Sequence, residues 1–490
     1  VTMEVAQNGT KLVRSFKHIP GPLSLPVVGT LYLYKLGFFN VLQYHEVLQR
    51  LYETYGPVVR EKIGSSTVVH LFDPDDARTI YRNEGKMPHV VPLQETDQLY
   101  RQKADMTLGL GNTNGEEWYR LRAAVRHLML KPQDVQQFLP AVRQVSRDLV
   151  ERFHILRDQS GFVPNLATEI GKWSQESAGV VCFDKRLGYL SEGPQQAVIE
   201  EVIEANRTVF YLSGLLKFSL PIYKYIPTPK WRKLVAAEDI VVRRTRKYTE
   251  EALLTASKLA DSNQLTGNRF SFLLSLMAKR ELSKKDILII MLSLNSDGLS
   301  TTVPTVLNNL YSLATNPAVQ ERAYQEVQSV VGEAEDITPT HLGQLNYIKA
   351  IVKETFRMYP NGTEISRIIQ NDLILSNYLI PAQTIININM GVHFRSDKYF
   401  SSPDQFRPER WLRGESTENI HPFLLTPFGL GTRTCVGRRF AEQDMYVLLT
   451  EIIKRFQLSY EGTQPLKLVY HTLLRPEGTL PIRFIPRKLS

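Results

Sequence analysis

Ten consecutive residues set the terms for the whole chain. Phe428, Gly429, Leu430, Gly431, Thr432, Arg433, Thr434, Cys435, Val436 and Gly437 form a glycine-rich loop that hands one cysteine to a helix. Beyond the sulfur, Phe440, Met445, Leu448, Leu449, Ile452 and Ile453 recur at helical spacing, which predicts a helix with one buried face from Val436 to about Phe456. A thiol at a helix N-terminus meets unsatisfied N–H groups and about half a positive charge, which lowers its pKa toward thiolate. A thiolate in such a loop is suited to axial ligation of haem iron. Taken alone, the same residues equally describe an inert buried cysteine beside a tight turn, so the remainder of the chain must decide.

Composition removes several alternatives. With 43% hydrophobic and 22% charged residues the chain is ordinary globular material, able to build a large core and far from disordered or collagen-like classes. Cys182 and Cys435 are its only cysteines, too few for a disulfide framework or a four-cysteine metal site, and they fit a reducing interior compartment. The formal charge of +9 and pI of about 9.2 favour acidic partners. Lysine and arginine are dispersed rather than gathered in runs, which argues against nucleic acid and leaves anionic lipid or an acidic protein. No stretch of about 20 uninterrupted apolar residues is present. Asn8, Asn206 and Asn361 open Asn-x-Thr sequons, read as unglycosylated chance matches.

Along the chain, the proline- and glycine-punctuated residues 18 to 29 read as a stiff entry segment, followed by a helix through about Tyr55. Val58 to Lys62 and Thr67 to Phe72 suggest a hairpin, and residues 87 to 111 a long polar loop. Glu116 to Met129 predicts a helix with Trp118 and Arg122 on one face. Helical patterns continue to about residue 358. Between Thr208 and Trp231 the chain is aromatic, apolar and broken by prolines, too short to span a bilayer but suited to resting on its surface. Ser283 and Asp286 resemble a capping box opening a helix to about Leu313, whose middle carries Asn295, Ser296, Asp297, Gly298, Ser300, Thr301 and Thr302. Pro304 cannot donate to the Ser300 carbonyl, so a local distortion is expected there. Helices to about Val331 and from Leu345 to Tyr359 follow. Short strands come next, at 365–368, 373–375 and 384–389, with final strands at 467–474 and 482–485. Residues 1–17 are read as an N-terminal segment, the remnant of a targeting region, and 18–490 as a single domain without internal linkers.

Two further constellations bear on the cysteine. Glu354 and Arg357 stand three apart on one helix, and the run from Phe406 to Trp411 supplies Arg410 about 25 residues before Cys435. One buried carboxylate receiving two guanidinium forks would be a satisfied network that fixes geometry. With FxxGxRxCxG at 428–437, ExxR at 354–357 and PER at 408–410 in this order, the chain resembles the cytochrome P450 family of haem-thiolate monooxygenases over residues 18 to 487.

That resemblance implies a mainly α fold with a smaller β-rich part, haem b as cofactor and dioxygen as co-substrate. By it Cys435 is the iron ligand, with Phe428 opening the loop against the haem, and Glu354, Arg357 and Arg410 form a structural triad behind it. Trp118, Arg122, Arg367 and Arg433 match the positions that bind haem propionates, and arginine forks suit carboxylates. Arg438 and Arg439 directly after Gly437 are similar to the mitochondrial members, as is the pair Lys349 and Lys353, which in that group meets an acidic [2Fe-2S] ferredoxin. The resemblance thus implies a mitochondrial enzyme on the matrix face of the inner membrane, in peripheral contact with it. The endoplasmic reticulum is the alternative if an apolar anchor precedes Val1.

The chain departs from the family in the long helix. Where the family carries an acid just before the threonine this chain has Ser300, and Asp297 holds a position that is small elsewhere. Asp297 and Thr301 are four apart and share a face. Thr301, Asp297 and Ser300 are therefore the candidate catalytic set, with Asp297 or Ser300 ordering a proton-bearing water. The leading expectation is a ferredoxin-fed hydroxylase of a lipophilic, steroid-like substrate such as a sterol, ecdysteroid or secosteroid. The alternative is a haem-binding protein with an isomerase, dehydratase or ligand-carrier role.

Overall fold

The structure, a computed structural model, describes residues 13–262, 269–334 and 336–487. Its core grows around one helical axis. Ser283 Oγ accepts from the Asp286 N–H at 3.1 Å while Asp286 accepts from the Ser283 N–H at 2.9 Å, so the capping box is closed. From it the helix Lys284–Ser300 runs into the interior and continues as Thr302–Thr315. The single long helix expected from sequence is split at Thr301, whose φ and ψ are −119° and −65°. Pro304 removes the donor to Ser300, and the Asn361 side chain enters the gap, donating to the Thr301 carbonyl at 2.6 Å and to Thr305 Oγ1 at 2.8 Å. This run is long and apolar enough to cross a bilayer, but most of it is packed inside the protein, where the core of a large helical body needs such a sequence.

Helices Leu139–Leu156, Leu166–Cys182, Asn346–Met358 and Arg438–Arg455 pack around that axis in one large apolar cluster. Trp173 is wholly buried there, its indole N–H donating to Ser146 Oγ at 3.0 Å. A helix of 33 residues, Pro229–Asp261, and the helix Gln195–Lys217 cover the axis from the other side.

The strands stand apart as predicted for a mainly α fold with a smaller β part. Val58–Ile63 pairs antiparallel with Ser66–Leu71, which runs parallel to Ile385–Ile388, which pairs antiparallel with Ile365–Ile368. Several boundaries differ from the sequence reading. The helix expected to run through to Tyr55 is two helices, Leu31–Lys35 and Tyr44–Tyr55. The 87–111 loop contains the helix Glu95–Lys103, a polar sequence held by tertiary contacts of Thr96 and Tyr100 with Ser213 and Asp239. The expected strand at 467–474 is a hairpin of Leu468–His471 and Leu473–Pro476 that turns at Thr472, φ +66°. Arg14–Ser15 pairs with Tyr378–Leu379, so the folded body begins inside the stretch expected to be a terminal remnant. Residues 1–12, with the Asn8 sequon, lie outside the described residues.

Candidate active site

The cysteine loop is held by its own backbone. The Cys435 N–H donates to the Phe428 carbonyl at 2.8 Å, and the ring of Phe428 meets Phe356 edge-on at 5.3 Å. Gly429 and Gly431 have φ of +71° and +72°, the left-handed region, and a Cβ on Gly431 would come within 2.7 Å of Glu84 Oε2. Two turns of the loop thus need glycine for backbone reasons. Helix Arg438–Arg455 starts three residues past the sulfur, and the N–H groups of Gly437 and Arg438 point at it.

The electrostatic expectation needs correcting. Desolvation raises the Cys435 thiol above its ordinary value although the residue is open to the cavity, with Asp297 adding to the rise, and the two N–H groups and Arg122 oppose it without prevailing. Desolvation of a thiolate outweighs a partial charge at a helix end. A cationic metal centre is what would hold this sulfur as thiolate.

Cys435 opens onto a cavity of about 450 Å³. Across it lies the split helix, with Leu294, Asp297, Gly298, Thr301 and Thr302 on the wall, and Asn361 to Ile365 with Leu473 closing the side. Asp297 and Thr301 therefore share the cavity face, as their spacing predicts. Ser300 does not: its hydroxyl donates to Asn206 Oδ1 on the neighbouring helix, and it is absent from the wall. A residue three positions from Asp297 is rotated off the face that Asp297 and Thr301 share. Phe210 is absent from the wall too, its carbonyl accepting from the Thr472 hydroxyl at 2.7 Å.

Beside the cysteine loop, off the cavity wall, lies a cluster of guanidinium groups. Arg122 donates to the Thr434 carbonyl at 2.8 Å; Arg433 donates to the carbonyls of Pro88 and Thr113, each at 2.8 Å, and lies 4.1 Å above the Trp118 ring. Arg367 is ion-paired to Glu84, a residue the sequence reading did not single out because nothing local marks it. Burial and the repulsion of Arg367 and Arg122 push Arg433 down to about 9, with Glu84 opposing. Three crowded arginines facing one carboxylate are short of negative charge, which is what two carboxylates of a ligand would supply. The residues present fit a haem: a cavity-facing sulfur on one side, anion-seeking forks at the edge, an apolar enclosure between.

Behind the loop, Glu354 is wholly buried and takes Arg357 Nε at 3.0 Å and Nη2 at 2.7 Å, and Arg410 Nε at 3.1 Å. The Arg407 N–H and the Trp411 indole N–H, each at 2.9 Å, complete the set. The helix Asn346–Met358 and the segment from Arg407 to Trp411, joined through residues more than 50 apart in sequence, are thereby clamped together.

The basic residues lie on the loop's outer side. Lys353 is exposed, its Nζ 4.1 Å above the Trp411 ring, and Lys349 donates to the Gly343 carbonyl at 2.7 Å. Arg438 and Arg439 share Glu442 at 2.8 and 2.9 Å, so their charge is partly answered within the protein. Desolvation of its ammonium group near Trp411, followed by repulsion from Arg438, lowers Lys353 from the usual lysine range, so Lys353 and Arg438 are neighbours.

The sequence model of the family described as Cytochrome P450 matches residues 19–483. The chain belongs to the cytochrome P450 family. It is an oxidoreductase of the monooxygenase type, with haem b as cofactor and dioxygen as co-substrate. This P450 is 41% identical to a probable cytochrome P450, CYP44, of Caenorhabditis elegans, over 96% of this chain and 94% of the relative. It is 29% identical to the mitochondrial 1,25-dihydroxyvitamin D(3) 24-hydroxylase of Rattus norvegicus, over 97% and 90%. It is 28% identical to the mitochondrial cholesterol side-chain cleavage enzyme of the same organism, over 98% and 90%.

Proposed function

We propose that this P450 hydroxylates a lipophilic, steroid-like molecule in mitochondria, using electrons from a [2Fe-2S] ferredoxin, and that residues from Arg14 onward form its one catalytic domain. The observation that carries the reading is the opposition, across one cavity, of the Cys435 sulfur and the Asp297–Thr301 face. Haem, held by Cys435 through iron and by Arg122, Arg367, Arg433 and Trp118 at its propionate edge, supplies the redox chemistry that dioxygen activation needs.

This chain's own residues do the rest. Glu354, Arg357 and Arg410 hold the loop that presents the sulfur. The Thr301 hydroxyl donates to the Asp297 carbonyl at 2.8 Å, which fixes its oxygen as an acceptor and leaves the Asp297 carboxyl free on the wall. That carboxyl, pushed up to about 7 chiefly by burial, exchanges protons near neutral pH and orders water beside the reacting carbon. The apolar wall excludes bulk water and receives the substrate skeleton.

Lys349, Lys353, Arg438 and Arg439 form the face on which an acidic ferredoxin docks, steered by charge and weakened by salt. Leu220, Ile222, Tyr225 and Ile226 are exposed after the helix Gln195–Lys217, Leu23, Leu25 and Val27 are exposed in the entry segment, and Leu36 and Phe38 just after the helix Leu31–Lys35. Such apolar groups rest in the matrix face of the inner membrane, which delivers a lipophile to the cavity.

Reconstitution with a ferredoxin and its NADPH-dependent reductase tests the reading. The expected result is electron consumption that depends on a sterol or secosteroid and is coupled to a hydroxylated product. Normal haem reduction with no product over a broad sterol panel would refute it. That outcome would favour an isomerase, dehydratase or carrier role, for which one observation speaks: Ser300, at the family's acid position, is turned to Asn206 and away from the cavity.

A further inference from the structure

The cavity wall has an uneven charge inventory. Three carboxyl groups line it, Asp297, Glu364 and Asp444, and no lysine or arginine does among the described residues. Two of the three have partners. Glu364 is ion-paired to Lys217 and accepts from Tyr44 at 3.1 Å and Asn387 at 3.0 Å, while Asp444 accepts the Ser177 hydroxyl. The carboxylate of Asp297 receives no hydrogen bond and no ion pair among the described residues. The Thr301 hydroxyl one turn away is spent on the Asp297 backbone carbonyl. The nearby cation, Arg101, is paired to Asp97 at 2.7 Å, also donates to the Leu108 carbonyl, and is absent from the wall.

Asp297 is open toward a cavity lined mainly by apolar groups, where an ionised carboxylate without a partner is costly and protonation or an incoming cation removes the cost. We propose that the substrate of this P450 is a lipophile carrying a positively charged amine, and that Asp297 is the group that receives it. The proposal rests on the reading of this cavity as the substrate site of a monooxygenase, specifies the class of molecule within it, and gives the Asp297 carboxylate to the bound cation in place of proton exchange. Because Asp297 lies one turn from Thr301 on the same face, the ion pair also fixes which end of the molecule faces Cys435. Lipophiles ending in carboxylate or sulfate are excluded by the same charge.

The groups facing Asp297 set the pH dependence. Arg101 and Asp97 act from the helix Glu95–Lys103, Glu238 acts from the helix Pro229–Asp261, and Cys435 lies opposite. Burial, opposed by Arg101 and aided by Asp97, sets the carboxyl at about 7, so a cationic ligand gains its partner as pH rises through neutrality.

The test uses three steroids with identical skeletons and side chains ending in trimethylammonium, tert-butyl or carboxylate. A quaternary nitrogen has no lone pair and cannot ligate iron, so the first two differ in charge alone. Affinity is read from the haem spin-state change in the haem-loaded protein, without turnover. At pH 8 the ammonium compound should bind about tenfold tighter than the tert-butyl compound, the effect of one modest ion pair. That ratio should shrink toward one at pH 6, and the carboxylate should bind worst. In Asp297→Asn that has loaded haem, the ratio between the first two compounds should fall to about one. If the variant loses haem, the pH dependence of the native protein decides by itself. Equal binding of the first two compounds at pH 8, or a ratio that survives Asp297→Asn, overturns the proposal. Absence of a spin-state change with all three compounds overturns it together with the substrate-site reading. Coupled hydroxylation of a neutral sterol with no preference for the ammonium compound overturns the proposal alone.

Discussion

Removing the carboxylate of Glu354 should cost more than any surface ion pair in the molecule. In Glu354→Ala, Arg357 keeps only uncharged partners, the carbonyls of Pro403 at 2.7 Å, Gln405 at 3.0 Å and Phe394 and the Met358 sulfur at 2.9 Å, while Arg410 keeps Glu418. One buried guanidinium thus loses its counter-charge outright. Breaking a buried pair from one side costs about 3–5 kcal/mol. The Trp411 indole and the Arg407 amide lose their acceptor as well, each of which costs about 1–3 kcal/mol where water cannot reach. These terms overlap, so the expected loss is at least about 3–5 kcal/mol, a large part of the about 5–15 kcal/mol that holds a folded protein together. Glu415→Ala is the internal control, because Glu415 meets Arg322 at 2.7 Å with both side chains more than 40% exposed. Such a pair is worth about 0–1 kcal/mol. Urea titrations followed by circular dichroism, with haem content measured on the same samples, give both numbers. Glu354→Ala should unfold at a much lower urea concentration and hold little haem, and Glu415→Ala should match the parent. A Glu354→Ala protein that unfolds at the parent's midpoint, or a control that falls as far, would refute the reasoning.

Other expectations follow from single groups. Asp444 is pushed up to about 7 by burial, with the Ser177 hydroxyl opposing. Since its folded-state pKa lies above the value in the unfolded chain, the stability it contributes is full in acid and drains away as pH rises through about 7; Asp444→Asn should flatten melting temperature against pH between 5 and 8, and an unchanged slope would contradict this. Lys349→Glu with Lys353→Glu should weaken ferredoxin binding by at least about tenfold at low ionic strength and reduce its salt dependence, with the haem spectrum unchanged; surface plasmon resonance at two salt concentrations checks both. Arg433→Ala removes one fork together with its bonds to the Pro88 and Thr113 carbonyls, so haem should dissociate faster than from the parent in an apomyoglobin transfer assay, and an unchanged rate would contradict this.

What could be read from the sequence was local. The glycine loop around Cys435, the Glu354–Arg357 pair and Arg410 are short patterns whose geometry follows from turn and helix spacing. The capping box at Ser283 and the weakness at Pro304 are legible for the same reason, because one missing N–H has a fixed consequence. The sequence reading stopped where tertiary contacts decide. The Glu95–Lys103 helix has a polar sequence and is held by Ser213 and Asp239, more than 100 residues away. Thr472 turns a hairpin with a positive φ at a β-branched residue, against its intrinsic preference. Glu84 and Asn361 belong to the site through pairings with Arg367 and the Thr301 carbonyl that no spacing rule announces. The thiol of Cys435 shows the same division: the helix end was legible, the desolvation that outweighs it was not.

The account stands on Cys435 as the haem ligand, and the carbon monoxide difference spectrum of the reduced protein tests it most directly. The parent should show the long-wavelength Soret band of a thiolate-ligated ferrous haem, and Cys435→His should bind haem with that band moved to the position of an imidazole-ligated one. A thiolate-type band that persists in Cys435→His would place the ligand elsewhere and contradict the account.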